Sequence, residues 1–236
     1  MAGATGAGKS TLVTTMCLLL PAEFISDDTV WLSGGYAEGM GAPISVRRGS
    51  PWYSIASGLP YGGDLDRILV NPADLGVGFQ HGTRAVSHLL FPTYRPYEPS
   101  LAAELTPAAS FCRLVSSAFR VSRSDEYDEL AAVAASARSM SLTYPDSGSS
   151  IKLVRRALAM NPLDALIPSR VEPDEMTCEG FGPDTGAIRF GDECAIWNKA
   201  TGQIAHVAAW PAGRPLRGEV AWTQLESMGF VGGDLP

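Results

Sequence analysis

Residues 3–10 read Gly3-Ala4-Thr5-Gly6-Ala7-Gly8-Lys9-Ser10 and fill every fixed position of the pattern G-x-x-x-x-G-K-[ST]. Such a run demands a strand, a tight loop and a helix in that order, so it limits the fold before any other feature does. The glycines permit the positive φ values and close approach by which backbone N–H groups curl around a phosphate. Lys9 would carry a point charge to the β- and γ-phosphates of a nucleotide, and the Ser10 hydroxyl is placed for Mg²⁺. The following helix would add its positive N-terminal dipole.

That helix is legible. Between Ser10 and Leu20 the apolar residues Leu12, Val13, Met16, Leu19 and Leu20 recur at three- and four-residue intervals, and Pro21 stops the run. Phe24-Ile25-Ser26 reads as a short strand and Thr29–Leu32 as another, with the paired acids Asp27-Asp28 between them. In a right-handed strand–helix–strand unit both strands end at one sheet edge. A helix of about ten residues, some 15 Å long, carries the chain back, and the next strand returns it. Asp27 and Asp28 would therefore arrive beside the bound γ-phosphate. Two carboxylates there suit two tasks, holding Mg²⁺ and accepting the proton of an attacking hydroxyl. An Asp-Asp pair after a strand is otherwise an exposed turn or a helix cap, so the pair gains meaning only with the loop.

The rest of the chain reads as mixed α/β. The glycine-rich stretch 34–41 is expected as a loop, and Leu32-Ser33-Gly34-Gly35 belongs to it, despite its likeness to a transporter-ATPase signature. Strands are expected at Ile44–Arg47, Arg67–Val70, His88–Phe91 (ended by Pro92) and Leu142–Tyr144, while residues 49–64 resist assignment. Helices are expected from Thr106 to Phe119, from Asp125 to Arg138 and from Ile151 to Met160. Residues 168–185 read as a linker. Beyond it come a hairpin, Cys194–Trp197 with Ile204–Val207, and a helix, Glu219–Met228. The expected domains are thus 1–167, a phosphate-loop domain, and 186–236, a small appendage whose core would use Trp197, Trp210 and Trp222.

Composition excludes some classes. The 236 residues are 45% hydrophobic and 18% charged, which suits a chain that buries a core. A net charge of −7 without a basic stripe argues against nucleic acid as a partner. No apolar run is long enough to cross a membrane, and no leader is recognised, so a cytoplasmic location is expected. The four cysteines are scattered, with Cys17 and Cys112 read as buried free thiols. His81, His88 and His206 lack metal-ligand spacing. Arg47, Arg48 and Arg95 are the cations a phosphate clamp would draw on, although such arginines more often lie on a solvated surface.

Gly6-Ala7-Gly8-Lys9-Ser10-Thr11-Leu12, followed by Phe24-Ile25-Ser26-Asp27-Asp28-Thr29-Val30, resembles the catalytic domain of HPr kinase/phosphorylase and its HPr-kinase-like relatives. The clear similarity covers residues 1–32. The relatives include kinases of peptide-modification gene clusters, and their fold is shared with phosphoenolpyruvate carboxykinase. The resemblance implies a mixed sheet with flanking helices, with ATP bound by residues 3–11 (Gly3, Ala4, Thr5, Gly6, Ala7, Gly8, Lys9, Ser10 and Thr11). It also implies Mg²⁺ at Ser10 and Asp28, and Asp27 as the base that activates a serine hydroxyl. The residues themselves do not divide the two roles between Asp27 and Asp28. Family members carry several strands and a histidine upstream of the loop, so the chain is expected to be truncated at its N-terminus. The expected activity is an ATP- and Mg²⁺-dependent kinase acting on serine of a peptide or protein, with HPr itself an unlikely substrate. The alternatives are a small-metabolite kinase and a catalytically silent nucleotide-binding partner protein. Homo-oligomer formation is compatible with all three.

Overall fold

Gly8, at φ 89° and ψ 12°, turns the chain into helix α1 (Lys9–Leu19), and Leu20 leaves it in extended conformation ahead of Pro21. The structure is a computed structural model that describes residues 2, 7–27, 29–59, 61–63, 66–80, 82–118, 121, 123–161, 168–170 and 185–207. After α1 come β1 (Val30–Ser33), β2 (Tyr36–Gly39), β3 (Ile44–Arg47), α2 (Tyr53–Ala56), β4 (Tyr61–Gly63) and β5 (Arg67–Val70). A 3₁₀ turn at Pro72–Leu75 leads to β6 (Arg84–Ala85), β7 (His88–Tyr94) and β8 (Leu101–Leu105). Helices α3 (Pro107–Ser117) and α4 (Ser124–Ser136), strand β9 (Arg138–Tyr144) and helix α5 (Ser147–Leu158) follow. The last described strands are β10 (Ser169–Arg170), β11 (Thr185–Phe190), β12 (Glu193–Asn198) and β13 (Ile204–Val207). The chain is mixed α/β, and the strands fall into small sheets ordered β1-β2-β6, β3-β5-β4, β7-β9-β8 and β10-β11-β12-β13. The single mixed sheet of the sequence reading is thus divided.

One unit comprises Met1–Glu104 and Met140–Pro162, the other Leu105–Ser139 and Leu163–Pro236. In the first, α1 is apolar on two sides, which explains its dense pattern. Leu12, Met16 and Leu20, spaced by four, join Leu90, Met140, Leu142, Tyr144 and Val154. Val13 and Cys17, also spaced by four, join Phe24, Ile44, Val46, Ile68 and Val70. Leu12 is fully buried, and its removal to alanine should cost about 2–5 kcal/mol. In the second unit α3 and α4 pack on each other, and α3 packs on β11, β12 and β13. Phe111, Tyr127, Phe190 and Trp197 form its aromatic core, with the Tyr127 and Trp197 rings stacked at 4.4 Å and 10°. The sequence reading placed the residues of α3 and α4 in the domain 1–167; the contact pattern groups them with 185–207.

Caps behave as residue chemistry dictates. Thr106 accepts from the Ala109 N–H with Pro107 at the first helical position, and Asp146 accepts from the Ser149 N–H. Other expectations need correction. Stretch 34–41 is not a loop. Gly34 and Gly35, at φ 57° and 81°, form the two-residue turn of a hairpin in which Ser33 pairs with Tyr36 and Val30 with Gly39. Positive φ at both central positions is what the primed turn requires. The expected strand Phe24–Ser26 is reduced to a parallel bridge between Phe24 and Phe79. β7 does not end at Pro92, because it lies at the edge of its sheet, where a missing N–H is tolerated. The expected linker contains β10, paired with β11. Helix Glu219–Met228, Trp210 and Trp222 lie outside the described residues. Among the described residues, no helix is long and apolar enough to cross a membrane.

Candidate functional site

The head of α1 is built from Gly8, Lys9, Ser10 and Thr11, all half-buried. Gly8 is the N-cap. It provides no capping side chain, and the first turn has no acidic residue. Its N–H groups are therefore not satisfied by side chains of that turn, the arrangement an anion-receiving helix start needs. The glycine is obligatory. A Cβ there would stand 2.7 Å from the Tyr144 hydroxyl and 3.3 Å from the Tyr94 Cβ, on a backbone at φ +89°. Within α1 the hydroxyls point back into the helix, Thr14 Oγ1 donating to the Ser10 carbonyl and Thr15 Oγ1 to that of Thr11, both at 2.7 Å. Trp52 Nε1 donates to Thr15 Oγ1 at 2.9 Å and ties the helix to the segment ahead of α2.

The loop is also held from the side. The Ala2 N–H donates to the Leu90 carbonyl at 3.1 Å, and the Tyr94 N–H donates to the Ala7 carbonyl at 3.2 Å. Both segments advance together, residue 2 with 90 and residue 7 with 94, the order of parallel neighbours. Tyr144 Oη donates to the Gly8 carbonyl at 3.2 Å, and the Arg95 N–H donates to the Tyr144 carbonyl at 3.0 Å. Burial pushes the Tyr144 phenol up to about 12, so it remains a neutral donor at physiological pH. The sequence gave no sign of Tyr144, because its partner lies 136 residues away.

Asp27 follows the Phe24 bridge. Its Oδ2 accepts from the Ser45 N–H at 2.9 Å, fixing the carboxylate against β3, which packs on α1. The Cys17 thiol is pushed up to about 11, first by burial and then by the Asp27 charge, which places the acid in electrostatic reach of α1. The structure thus holds Gly8–Thr11 together at the head of α1 and fixes Asp27 on a strand packed beside that helix. Gly3, Ala4, Thr5, Gly6 and Asp28 lie outside the described residues.

Other groups have local roles. His88 contacts Ser87 Oγ and the Met160 carbonyl at 3.0 Å each, and His206 pairs with Glu193 at 3.0 Å. Cys17, Cys112 and Cys194 are free thiols, and Cys17 and Cys112 are half-buried rather than fully buried. Among the described residues no three His, Cys, Asp or Glu side chains gather as metal ligands. The residues at the head of α1 do fit a phosphate group, since the left-handed glycine and the uncapped turn are the parts a phosphate cradle needs. Compared with protein-family models, with curated proteins and with solved structures, the chain matches none.

Proposed function

We propose that this chain is a phosphate-loop kinase of the HPr-kinase-like type, with the related phosphoenolpyruvate carboxykinase fold. It transfers the γ-phosphoryl group of ATP to a hydroxyl, that of serine in a peptide or protein. The observation that carries the reading is the left-handed Gly8 at the uncapped head of α1, with Lys9 and Ser10 in its first turn and Asp27 anchored on the neighbouring β3. Lys9 offsets charge on the transferred group, and the backbone N–H groups orient the phosphates. Asp27, oriented by the Ser45 N–H, accepts the proton as the acceptor oxygen bonds to phosphorus and ADP departs. Ser10 and Asp28 would hold Mg²⁺, which supplies neutralisation of the β- and γ-oxygens.

The test offers peptides and small hydroxylated metabolites together with ATP and Mg²⁺, and identifies products by mass spectrometry. Lys9→Ala should abolish transfer and weaken nucleotide binding, whereas Asp27→Asn should abolish transfer with binding largely kept. Retained transfer in Asp27→Asn would remove the base. Nucleotide binding without turnover on any acceptor would favour a silent partner protein.

A further inference from the structure

We propose that Arg47, Arg48 and Arg67 form a binding cleft for the dianionic phosphate of a phosphate monoester, made of residues separate from the loop at the head of α1. This does not rest on the kinase reading. The two strands that carry the arginines bring them together. Ile44, Ser45 and Val46 of β3 are buried, and the fourth residue, Arg47, emerges. The register sets Arg47 opposite Arg67, the first residue of β5, so both side chains leave the sheet side by side. The Arg48 N–H donates to the Asp66 carbonyl at 2.8 Å and carries the pairing one step further. Together Arg47, Arg48, Asp66 and Arg67 line a cleft of about 330 Å³.

Charge is what makes this cleft informative. Like charges directly opposite on paired strands destabilise the pair. The chain has 25 acidic residues against 18 basic ones, yet three cations surround this cleft with one carboxylate. Two positive charges are in excess, which is the complement of a phosphate dianion. Guanidinium forks match the several oxygens of a phosphate, whereas a carboxylate has only two oxygens and satisfies one fork. A bound dianion would turn the mutual repulsion of the arginines into attraction to a shared centre. The cleft is large enough for the organic part of a small ester beside the phosphate.

The test uses the full chain carrying Lys9→Ala, so that the loop at α1 does not contribute. Inorganic phosphate, phenyl phosphate and acetate are titrated calorimetrically at constant ionic strength and pH 8, where phosphate is a dianion. Saturable binding of phosphate and at least equal affinity for phenyl phosphate are expected, with no binding of acetate. Arg47→Gln with Arg67→Gln should weaken phosphate by roughly tenfold or more. Asp66→Asn should strengthen it, since it removes the one opposing charge. Unchanged phosphate affinity in the double glutamine variant, equal binding of acetate, or rejection of phenyl phosphate would each overturn the proposal. Failure of the kinase reading leaves all these outcomes as they are.

Discussion

The contact between Gly8 and Tyr144 yields a quantitative prediction through a double-mutant cycle. Tyr144→Phe removes one neutral hydrogen bond while the buried ring keeps its packing against Leu12 and Val154. The Gly8 carbonyl still accepts from the Leu12 N–H at 2.9 Å, so it is not orphaned, and the loss should be about 1 kcal/mol. Gly8→Ala meets two obstacles. Alanine at φ +89° costs about 1–2 kcal/mol, and its Cβ meets the phenolic oxygen at 2.7 Å, which adds about 1–3 kcal/mol because the buried ring has nowhere to move. In the phenylalanine background the nearest ring atom stands at 3.6 Å, an ordinary contact, so most of the second cost disappears. The double variant should therefore be less destabilised than the sum of the singles, by at least about 1 kcal/mol. The assay is urea denaturation read by hydrogen-exchange mass spectrometry on peptides of α1 and β9, which isolates the unit holding both residues. Additivity within about 0.3 kcal/mol would refute the idea that the Tyr144 hydroxyl shapes the loop.

Two further predictions concern a thiol and an aromatic core. Cys17, pushed up to about 11, should alkylate slowly at pH 8 and quickly only above pH 10, as mass spectrometry of labelled peptides would read. Asp27→Asn removes one of the two causes of that shift and should speed the labelling; an unchanged rate would separate the two groups. The sign for stability follows from the raised value. The contribution of a neutral Cys17 is fully present below its ordinary value of 9.0 and lost as pH rises through about 11. In the other unit Trp197→Ala removes the ring stacked on Tyr127 and should cost about 3–5 kcal/mol, measured by the same exchange method on α3 and β12.

What the sequence disclosed follows from how local each signal is. Helix α1 was legible because its residues face two apolar clusters, so periodicity and a proline stop both marked it. Helix α3 was legible through Thr106-Pro107, a cap and a first-turn proline four bonds of chain apart at most. β8, with the sequence Leu-Ala-Ala-Glu-Leu, was missed because alanine and glutamate carry little strand preference and only pairing in the β7-β9-β8 sheet makes it a strand. The Gly34-Gly35 turn was misread because glycine enrichment signals both loops and primed hairpins. What decides between them is the register of the flanking residues, Val30 to Ser33 against Tyr36 to Gly39.

The site divides along the same line. Lys9, Ser10 and Asp27 were visible because their chemistry is carried by residue type at short spacing. What fixes them is long-range. The loop leans on Tyr94 and Tyr144, and Asp27 takes the Ser45 N–H eighteen positions away, as a strand neighbour would take it through its backbone. This substitution of side chain for backbone explains why the expected strand Phe24–Ser26 shrinks to one bridge while its acid still reaches β3. The pairing is carried by the carboxylate instead of by a ladder. A strand that surrenders its ladder in this way leaves the acid's position dependent on one bond. Removing the Asp27 side chain would therefore cost the buried Ser45 N–H its acceptor and free the segment ahead of β1 at the same time.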